Sequence, residues 1–318
     1  MGLTMAERVR VAVIGVGELG SRHARLYSEL DTAELIGVAD IASDRCHHIS
    51  EQYGVRGVTD FKELIADVQA ASVAVPTVEH EGITMALLDA GVHVLVEKPI
   101  APTVDEALRM TTLAREKNLR LAVGHTERYN PGVEAVLAQV KDPRFIEVHR
   151  LGSFSPRSLD IDVVLDLMIH DLDVVRALVG REVVSVDAVG VPVLTPKVDI
   201  ANARLKFDGG AVANITASRV SQEKIRKLRV FERDRYVSLD YQSQEAVRFQ
   251  LVANSDGSGG GRPNIQKDDL NVQNAEPLRR ELEDFLDAVA TGREPRVGGD
   301  DGRAALELAL RVAHAMAG

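Results

Sequence analysis

The sequence predicts two domains of different class: an α/β domain with a doubly wound parallel sheet, then an α+β domain with a largely antiparallel open sheet. Up to about residue 125, short apolar runs alternate with segments of helical period, the pattern of parallel strands joined by crossover helices. From residue 182, strand-like segments follow one another without helices between them, which favours antiparallel pairing. The 318 residues are enough for two cores, at roughly 100 to 200 residues each. We place the two domains at residues 1–124 and 125–318.

The elements of the first domain follow from two periodicities. Strands buried on both faces give continuous apolar runs, and the helices between them repeat their apolar positions about every 3.6 residues. The expected strands cover residues 9–14, 34–39, 71–75, 93–96 and 119–123. The expected helices cover residues 19–30, 43–53, 81–90 and 104–118.

The second domain begins with helices and continues as strands. A helix at 131–140, a strand at 145–151 and a helix at 163–179 come first. Asp208-Gly209-Gly210 predicts a hairpin turn, and the glycine-rich composition of residues 254–264 predicts a flexible loop. The remaining expected strands cover residues 182–191, 200–207, 211–218, 228–232, 236–241 and 246–251, and the closing helices cover 277–290 and 301–316.

Composition narrows the class of protein. Hydrophobic residues make up 45% and charged residues 27%, and no apolar stretch approaches the ~18 residues of a membrane helix, so we expect a soluble protein. A single cysteine, Cys46, excludes an intramolecular disulfide and is interpreted as structural. The N-terminus lacks the apolar segment of a secretory signal, so a cytoplasmic location is expected.

Charge and aromatic content argue against nucleic acid as a partner. The net charge is −10, tryptophan is absent and aromatic residues make up only 4%, so neither a basic footprint nor a base-stacking surface is indicated. An anionic small molecule stays possible, because cations can be concentrated in one cleft of an acidic protein.

The segment GVGELG matches the G-x-G-x-x-G pattern between the first strand and the first helix. In a Rossmann domain Gly15 allows the tight turn, Gly17 lets the backbone approach a pyrophosphate, and Gly20 allows close helix packing. The backbone of Glu18 and Leu19 begins the helix, whose N-terminus favours phosphate. The segment therefore predicts a dinucleotide site; a purely structural glycine turn is the alternative.

Asp40 follows the second strand, 20 residues beyond Gly20. A carboxylate at this position accepts hydrogen bonds from the adenosine ribose hydroxyls and repels a 2′-phosphate, so NAD is expected rather than NADP. Arg45 lies nearby in the sequence and leaves some NADP use open. A strand-end carboxylate without a cofactor role is the alternative.

The segment EKPI closes the strand at residues 93–96 with a charged pair and a proline. Strand ends at the carboxyl edge of such a sheet line the cofactor crevice, so Glu97 and Lys98 are expected to face the nicotinamide. Pro99 favours an extended backbone at Lys98. The lysine ammonium can hydrogen-bond a reacting hydroxyl and stabilise developing alkoxide; an exposed ion pair before a turn is the alternative.

Four motifs in this order resemble the glucose-fructose oxidoreductase, inositol dehydrogenase and MocA (Gfo/Idh/MocA) family. They are GVGELG, EKP, VGHTERYNP at Val123 to Pro131 and LDLMIHDLD at Leu165 to Asp173, and the resemblance covers nearly the whole chain. It implies an NAD(P)-dependent oxidoreductase that acts on a sugar or cyclitol hydroxyl and assembles as a homodimer or homotetramer. It also implies that Lys98 lies between cofactor and substrate.

Asp166 and His170 are the other catalytic candidates. They are four residues apart, so one helical face carries both. Histidine titrates near neutral pH and can take the hydroxyl proton, while Asp166 orients the sugar or tunes the site. The resemblance assigns both to catalytic positions of the family; without it, surface or capping roles are the alternative. Whether Lys98 or His170 is the base stays open.

Further contacts are implied by the resemblance. Pro76, Thr77, His80, Glu97 and Arg128 match cofactor-contact positions, although turn and capping roles explain the first three equally well. Substrate binding is assigned to Lys98, Arg128, Arg150, Arg157, Asp166 and His170. No cluster of histidines and carboxylates has convincing ligand spacing, so no metal is expected.

Two segments suggest a narrower substrate class. Residues 150–173 and 217–241 are similar to a family branch that oxidises the 3-hydroxyl of UDP-N-acetylglucosamine, whose 3-keto product an aminotransferase uses for lipid A or surface glycans. A diphosphate needs cationic donors, and the candidates are Arg150, Arg157, Arg219, Lys224 and Arg226. The alternatives are a dehydrogenase of a free sugar or inositol and, in another class, a non-catalytic NAD-binding regulatory protein.

The second-domain sheet predicts self-association. Helices are expected to cover one face of this sheet, and the other face is then exposed unless a second copy covers it. We therefore expect a homodimer or homotetramer, in agreement with the family resemblance.

Overall fold

The computed structural model describes residues 8–154, 161–252 and 264–316. The chain folds into two compact units. The first unit contains Met1–Thr126 and Leu278–Leu306, and the second contains Glu127–Pro277 and Glu307–Gly318. The expected division into residues 1–124 and 125–318 differs from this one in two respects. The first boundary lies after Thr126, and residues 278–306 group with the N-terminal unit.

The first unit contains a six-stranded parallel sheet with helices between successive strands. The strand order β3-β2-β1-β4-β5-β6 places the topological switch between β1 and β4. Its elements are β1 Val9–Ile14, α1 Glu18–Glu29, β2 Ala33–Ala39, α2 Ser43–Tyr53, β3 Arg56–Val58, β4 Ala70–Val73, α3 His80–Asp89, β5 His93–Glu97, α4 Val104–Glu116 and β6 Leu121–Gly124. The predicted doubly wound sheet is confirmed.

The second unit contains an eight-stranded sheet in the order β14-β13-β12-β11-β7-β10-β9-β8. Only β7 and β10 pair in parallel within this described sheet; the other neighbouring strands are antiparallel, which confirms the predicted α+β class. The elements are α5 Pro131–Gln139, β7 Phe145–Leu151, α6 Ile169–Val179, β8 Val183–Val191, β9 Ile200–Phe207, β10 Val212–Ser218, β11 Ile225–Phe231, β12 Arg235–Asp240, β13 Glu245–Val252 and β14 Asn264–Leu270.

Two helices close the chain, α7 at Pro277–Thr291 and α8 at Gly299–Ala315. Helix α7 adds Leu282 and Phe285 to the core of the first unit, where they join Val11, Leu26 and Val38. This packing explains why residues 278–306 belong to the N-terminal unit although they lie near the end of the chain.

Strands β3 and β14 were not predicted. Strand β3 has only three residues, too few to show an alternation of apolar and polar side chains. Strand β14 lies at the edge of its sheet and has the polar sequence NIQKDDL, so its pairing with β13 identifies it as a strand and its side-chain pattern does not. The loop expected at residues 254–264 falls outside the described residues except for Asn264, which begins β14. Among the described helices, none is long and apolar enough to cross a membrane.

Candidate active site

The glycine loop forms a cradle at the carboxyl end of β1. Gly15 has a φ of +83°, and a side chain there would bring its Cβ within 2.5 Å of the Ala74 carbonyl oxygen. A Cβ on Gly20 would collide with the Gly15 carbonyl oxygen, whereas Gly17 faces open space with no atom within 4 Å of such a Cβ. The loop therefore turns tightly, packs α1 closely, and leaves the backbone at Gly17 accessible.

Helix α1 begins at this loop without a side-chain cap. Gly17 is the N-cap residue, and the first turn starts with Glu18 and Leu19. The N–H groups of a first helical turn have no partner within the helix, and the helix dipole favours an anion beside them. These features fit the pyrophosphate of a dinucleotide.

Asp40 follows β2 and lies beside the same loop. Its Oδ2 accepts a hydrogen bond from Val16 N at 2.9 Å, and its Oδ1 accepts from Ala42 N at 2.8 Å and from Arg45 Nη2 at 3.1 Å. A carboxylate has about four acceptor positions, so one stays open for a ribose hydroxyl. The structure adds a second role that the sequence did not predict, since Asp40 also holds the glycine loop in place.

Lys98 directly follows β5 and is half-buried. The Lys98–Pro99 peptide bond is cis. The next peptide carbonyl, that of Pro99, lies 2.9 Å from His80 Nδ1, and His80 Nε2 lies 3.0 Å from the Val75 carbonyl oxygen. Burial, the largest influence, lowers the pKa of His80, so the ring is neutral at neutral pH. His80 is buried and joins the segments that follow β4 and β5, so it supports the chain directly after Lys98. Its expected cofactor contact stays a prediction.

Glu97 precedes Lys98 and its side chain points into a buried cluster. Its Oε1 lies 3.1 Å from His23 Nε2, and its Oε2 accepts from Lys98 N at 3.2 Å. Burial, the largest influence, opposes ionisation, but the hydrogen bond and charge of His23 together with Lys98 lower the pKa of Glu97. Glu97 is only 6% exposed, and its bond to His23 links β5 to α1. Its expected cofactor contact stays a prediction.

Glu281 of α7 interacts electrostatically with Glu97. Burial, followed by the negative charge of Glu97, raises the pKa of Glu281 well above the usual range, although a hydrogen bond from Thr126 at 3.0 Å acts against this. Two neighbouring buried carboxyl groups cannot both ionise at low cost, so ionisation of Glu97 favours the protonated form of Glu281. The sequence did not indicate this pair, because the two residues lie far apart in the chain.

Asp166 and His170 lie where a π-helical turn, Val164–Met168, passes into α6. Both side chains are half-buried. The expected continuous helix at 163–179 is thus interrupted, because Ile169 N bonds to the Val164 carbonyl in the wider i to i+5 pattern. Such turns are rare and occur often at functional sites, since they change the direction of side chains on a helix.

Two buried ion pairs fix the first turns of α6 directly after His170. Asp171 accepts hydrogen bonds from Arg150 Nε at 2.6 Å and Nη2 at 2.9 Å, and Asp173 lies 3.2 Å from Arg128 Nη1. Both carboxylates are fully buried. Arg128 was expected to contact cofactor and substrate; in the structure it holds this helix.

Arg150 is also bonded to Glu127 at 2.9 Å and lies over the Tyr241 ring at 5.1 Å. The charges of Asp171 and Glu127 raise its pKa well above the usual range in spite of burial, which is the largest influence. Only 3% of the Arg150 surface is exposed, and this fully paired arginine joins α6 to β7. The substrate contact expected from the sequence stays a prediction.

Arg219 is likewise a structural residue. Its Nε donates to Asp199 at 2.9 Å, its Nη1 donates to the Ile161 carbonyl at 2.9 Å, and its Nη2 donates to Thr195 at 3.2 Å. These bonds hold the connection between β8 and β9. The contact of Arg219 with a diphosphate stays a prediction.

The other cationic candidates differ in their surroundings. Arg157 lies outside the described residues. Lys224 is exposed just before β11, and Arg226 is half-buried within it. In the part of the chain that the structure describes, neither side chain has a hydrogen bond or ion pair.

Pro76 and Thr77 follow β4 at the carboxyl edge of the parallel sheet, as expected. Thr77 begins a short 3₁₀ turn, and Glu79 N closes it with a 2.9 Å bond to the Pro76 carbonyl. Their cofactor contacts stay a prediction. In the described ranges, no group of three histidine, cysteine, aspartate or glutamate side chains is placed to hold a metal ion.

Comparison with known proteins decides the family. Residues 9–125 match the oxidoreductase family model described as an NAD-binding Rossmann fold, and residues 133–234 match the C-terminal domain model of the Gfo/Idh/MocA group. The chain belongs to the Gfo/Idh/MocA oxidoreductase family. This confirms the resemblance read from the four motifs, the NAD-binding first domain, and an enzyme that acts on CH–OH groups.

Individual family members extend the comparison. The chain is 39% identical over 305 residues to UDP-N-acetylglucosamine 3-dehydrogenase of Acidithiobacillus ferrooxidans, covering 96% of each chain. A solved structure of that enzyme, 37% identical, superposes with a TM-score of 0.90 over 97% of each chain. Inositol 2-dehydrogenase of Rhizobium meliloti is 28% identical over 95% of this chain and 94% of its own.

Proposed function

We propose that this Gfo/Idh/MocA oxidoreductase oxidises the 3-hydroxyl of UDP-N-acetylglucosamine to a 3-keto sugar. The observation that carries the proposal is the similarity, over 96% of both chains, to an enzyme of that name. The product suits an aminotransferase that makes amino sugars for lipid A or surface glycans. An inositol or free-sugar dehydrogenase is the second candidate, supported by the more distant inositol 2-dehydrogenase.

The residues of the first unit bind NAD and polarise the hydroxyl. The accessible backbone at Gly17 and the first turn of α1 bind the pyrophosphate, and Asp40 binds the ribose. Bound NAD supplies the hydride acceptor. Lys98 donates a hydrogen bond to the reacting oxygen and stabilises the negative charge that develops there as the hydroxyl proton leaves.

The residues of the second unit orient the substrate and move the proton. Asp166 accepts a hydrogen bond from the sugar, and His170 or Lys98 takes the hydroxyl proton, which leaves a C3 carbonyl. Asp171 and Asp173 are positioning residues, because their ion pairs fix the helix that carries His170. The half-buried state of Asp166 and His170 supports these roles.

The test is an assay with purified protein, NAD and UDP-N-acetylglucosamine, with a carbonyl-trapping reagent because oxidation is uphill. We expect NADH absorbance to rise and the trapped sugar to show loss of two hydrogens by mass spectrometry. Myo-inositol and N-acetylglucosamine are assayed in parallel. Turnover of these alone, with none of the nucleotide sugar, would contradict the proposal.

We also propose that the enzyme is a homo-oligomer associated through the outer face of the second-unit sheet. Four aromatic rings form a row on neighbouring strands of this sheet, namely Phe145, Phe231, Tyr236 and Phe249, with centroids 4.5 to 5.8 Å apart. Light scattering after size exclusion should give twice or four times the chain mass, and a monomer would contradict the proposal. The cytoplasmic location stays a prediction.

A further inference from the structure

Arg226 lies on the inner face of the second-unit sheet. Along β11, Leu228 and Val230 are buried while Lys227 and Arg229 are exposed, so the period of two places Arg226 on the buried side. This face carries the core of the unit. A charged side chain on it requires an explanation.

The residue directly opposite Arg226 is another arginine. The antiparallel register of β11 and β7 pairs Arg226 with Arg150, whose guanidinium is on the same face. Like charges at directly opposed positions of a sheet destabilise it. Burial, and after it the positive charge of Arg150, lowers the pKa of Arg226, which shows that its surroundings disfavour the cation.

The nearby carboxylates do not bind Arg226. Glu127 and Asp171 influence it electrostatically, but both oxygens of Asp171 accept from Arg150, and Glu127 accepts from Arg150 and Asn130. Among the described residues, the Arg226 guanidinium has no hydrogen bond or ion pair. Five N–H donors on this half-buried cation thus have no partner within the part of the chain that the structure describes.

We propose that Arg226 binds a phosphate oxygen of the substrate and so selects sugars that carry a phosphate group over neutral sugars and cyclitols. The inference rests on the proposed function and deepens it by assigning the residue that reads the charge of the substrate. An anion at this position pairs with the Arg226 cation and accepts hydrogen bonds from its unused donors. The planar guanidinium matches phosphate geometry, whereas a neutral sugar would leave the cation unpaired.

The location of Arg226 fits this role. Asp171, which acts on it electrostatically, directly follows His170 in the helix of the proposed catalytic residues. The substrate sugar and its phosphate are parts of one molecule, so the residue that binds the phosphate must lie in the neighbourhood of the residues that act on the sugar.

The test compares the full chain, loaded with NAD, as wild type, R226Q, R226K and R233Q. Arg233 is the matched control, because it is the same residue type and is exposed in the turn between β11 and β12. A charged hydrogen bond contributes enough for R226Q to raise the KM for UDP-N-acetylglucosamine and the Kd for UDP about tenfold to a hundredfold. The kcat should change much less, R226K should recover part of the affinity, and R233Q should match wild type.

The melting temperature of the R226Q variant distinguishes a binding role of Arg226 from a structural role. R226Q removes one of two opposed like charges, so its melting temperature without substrate should equal or exceed that of wild type. Affinities of R226Q for UDP and for the substrate within twofold of wild type would overturn the inference. A lower melting temperature, or a change of oligomeric state with UDP affinity unchanged, would overturn it as well.

The two proposals fail in different ways. If wild type turns over UDP-N-acetylglucosamine and R226Q does so with unchanged KM, the inference is wrong and the proposed function stands. If wild type does not oxidise this sugar but binds UDP through Arg226, the proposed substrate is wrong and a phosphate-bearing substrate is supported. If wild type binds no UDP and oxidises only neutral sugars, both are wrong.

Discussion

The two units of the molecule treat buried charge in opposite ways. In the first, Glu97 is bonded to a histidine, while burial and the charge of Glu97 raise the pKa of Glu281. In the second, buried carboxylates are neutralised by arginines, as in Asp171 with Arg150 and Asp199 with Arg219. The first unit thus disfavours a second buried negative charge near Glu97, and the second fixes the direction of the helix that carries His170.

The difference indicates a division of labour. In the first unit, the Glu97 and Glu281 carboxyl groups influence the charge near Lys98. Gain or loss of a proton on either carboxyl changes the local electrostatic potential. Bidentate ion pairs give geometric precision, which a helix that orients substrate requires. Arg226 departs from the second pattern, and this departure supports a role in binding. The variants that follow test each side of the comparison.

The largest effect is expected for the chemistry attached to the first unit. Lys98→Ala should lower kcat about 10²- to 10⁴-fold, because it removes the donor to the reacting oxygen. The affinity for NAD, measured by calorimetry, should stay within about threefold of wild type, since the glycine loop and Asp40 are untouched. Lys62→Ala, at an exposed position, is the control. Turnover within tenfold of wild type would remove Lys98 from the mechanism.

A second variant tests the helix of the second unit. If His170 is the base, it must be unprotonated to accept the hydroxyl proton, so kcat/KM should fall when the medium becomes acidic enough to protonate the ring. We expect His170→Ala to lower kcat/KM and to abolish this acidic limb of the profile. An unchanged limb in the variant would assign the proton transfer to Lys98.

Breaking an ion pair should destabilise the second unit strongly. Arg150→Met leaves Asp171 and Glu127 buried without their cation, which costs about 3–5 kcal/mol of unfolding free energy. Urea denaturation followed by circular dichroism measures this change. Arg229→Met, which breaks the exposed pair with Glu147 on the same sheet, should cost about 0–1 kcal/mol. Equal effects of the two variants would contradict the positioning role of Arg150.

A smaller effect is expected at the cofactor site. Asp40→Asn removes the charge and keeps an acceptor for the glycine loop, so NAD affinity should fall about tenfold to a hundredfold. The affinity for NADP should fall less, since the variant also removes the repulsion between Asp40 and the 2′-phosphate. Asp44→Asn, at an exposed position in the first turn of α2, is the control. An unchanged ratio of NAD to NADP affinity would refute the assigned role of Asp40.

The smallest effect concerns the protonated carboxyl of the first unit. A raised pKa of Glu281 means that its contribution to stability is complete below the unfolded pKa of about 4.3 and is lost as pH rises toward the folded pKa. Glu281→Gln should therefore match wild type at about pH 5 and exceed its stability by on the order of 1–2 kcal/mol at about pH 8. Glu283→Gln, exposed on the same helix, should show no such trend. A gain independent of pH would contradict the protonated state.

Local patterns in the sequence were enough to predict most of the first unit. The apolar runs of β1 and β5 and the spacing of Gly15, Gly17 and Gly20 depend only on neighbouring residues, so they identified the sheet and the loop at its edge. Lys98 could be placed at a strand end for the same reason. The surroundings of Lys98 could not be predicted, because the contact between His80 and the Pro99 carbonyl forms only in the folded chain.

Contacts between residues that lie far apart in the sequence were not predicted. His23 of α1 bonds Glu97, and the only sign of this contact in the sequence was a polar residue among the buried positions of that helix. The ion pair of Arg150 with Asp171 was missed as well, since no local pattern indicates it. The π-helical turn before α6 was also hidden, because its side-chain pattern is that of an ordinary helix.

The central claim is that hydride leaves C3 of a nucleotide sugar for NAD. UDP-N-acetylglucosamine deuterated at C3 tests it directly, with mass spectrometry of the reduced cofactor after incubation with a carbonyl trap. We predict NADH that carries one deuterium, and a slower rate than with the unlabelled sugar when hydride transfer limits turnover. Unlabelled NADH formed from this substrate would place the oxidation at another carbon and contradict the account.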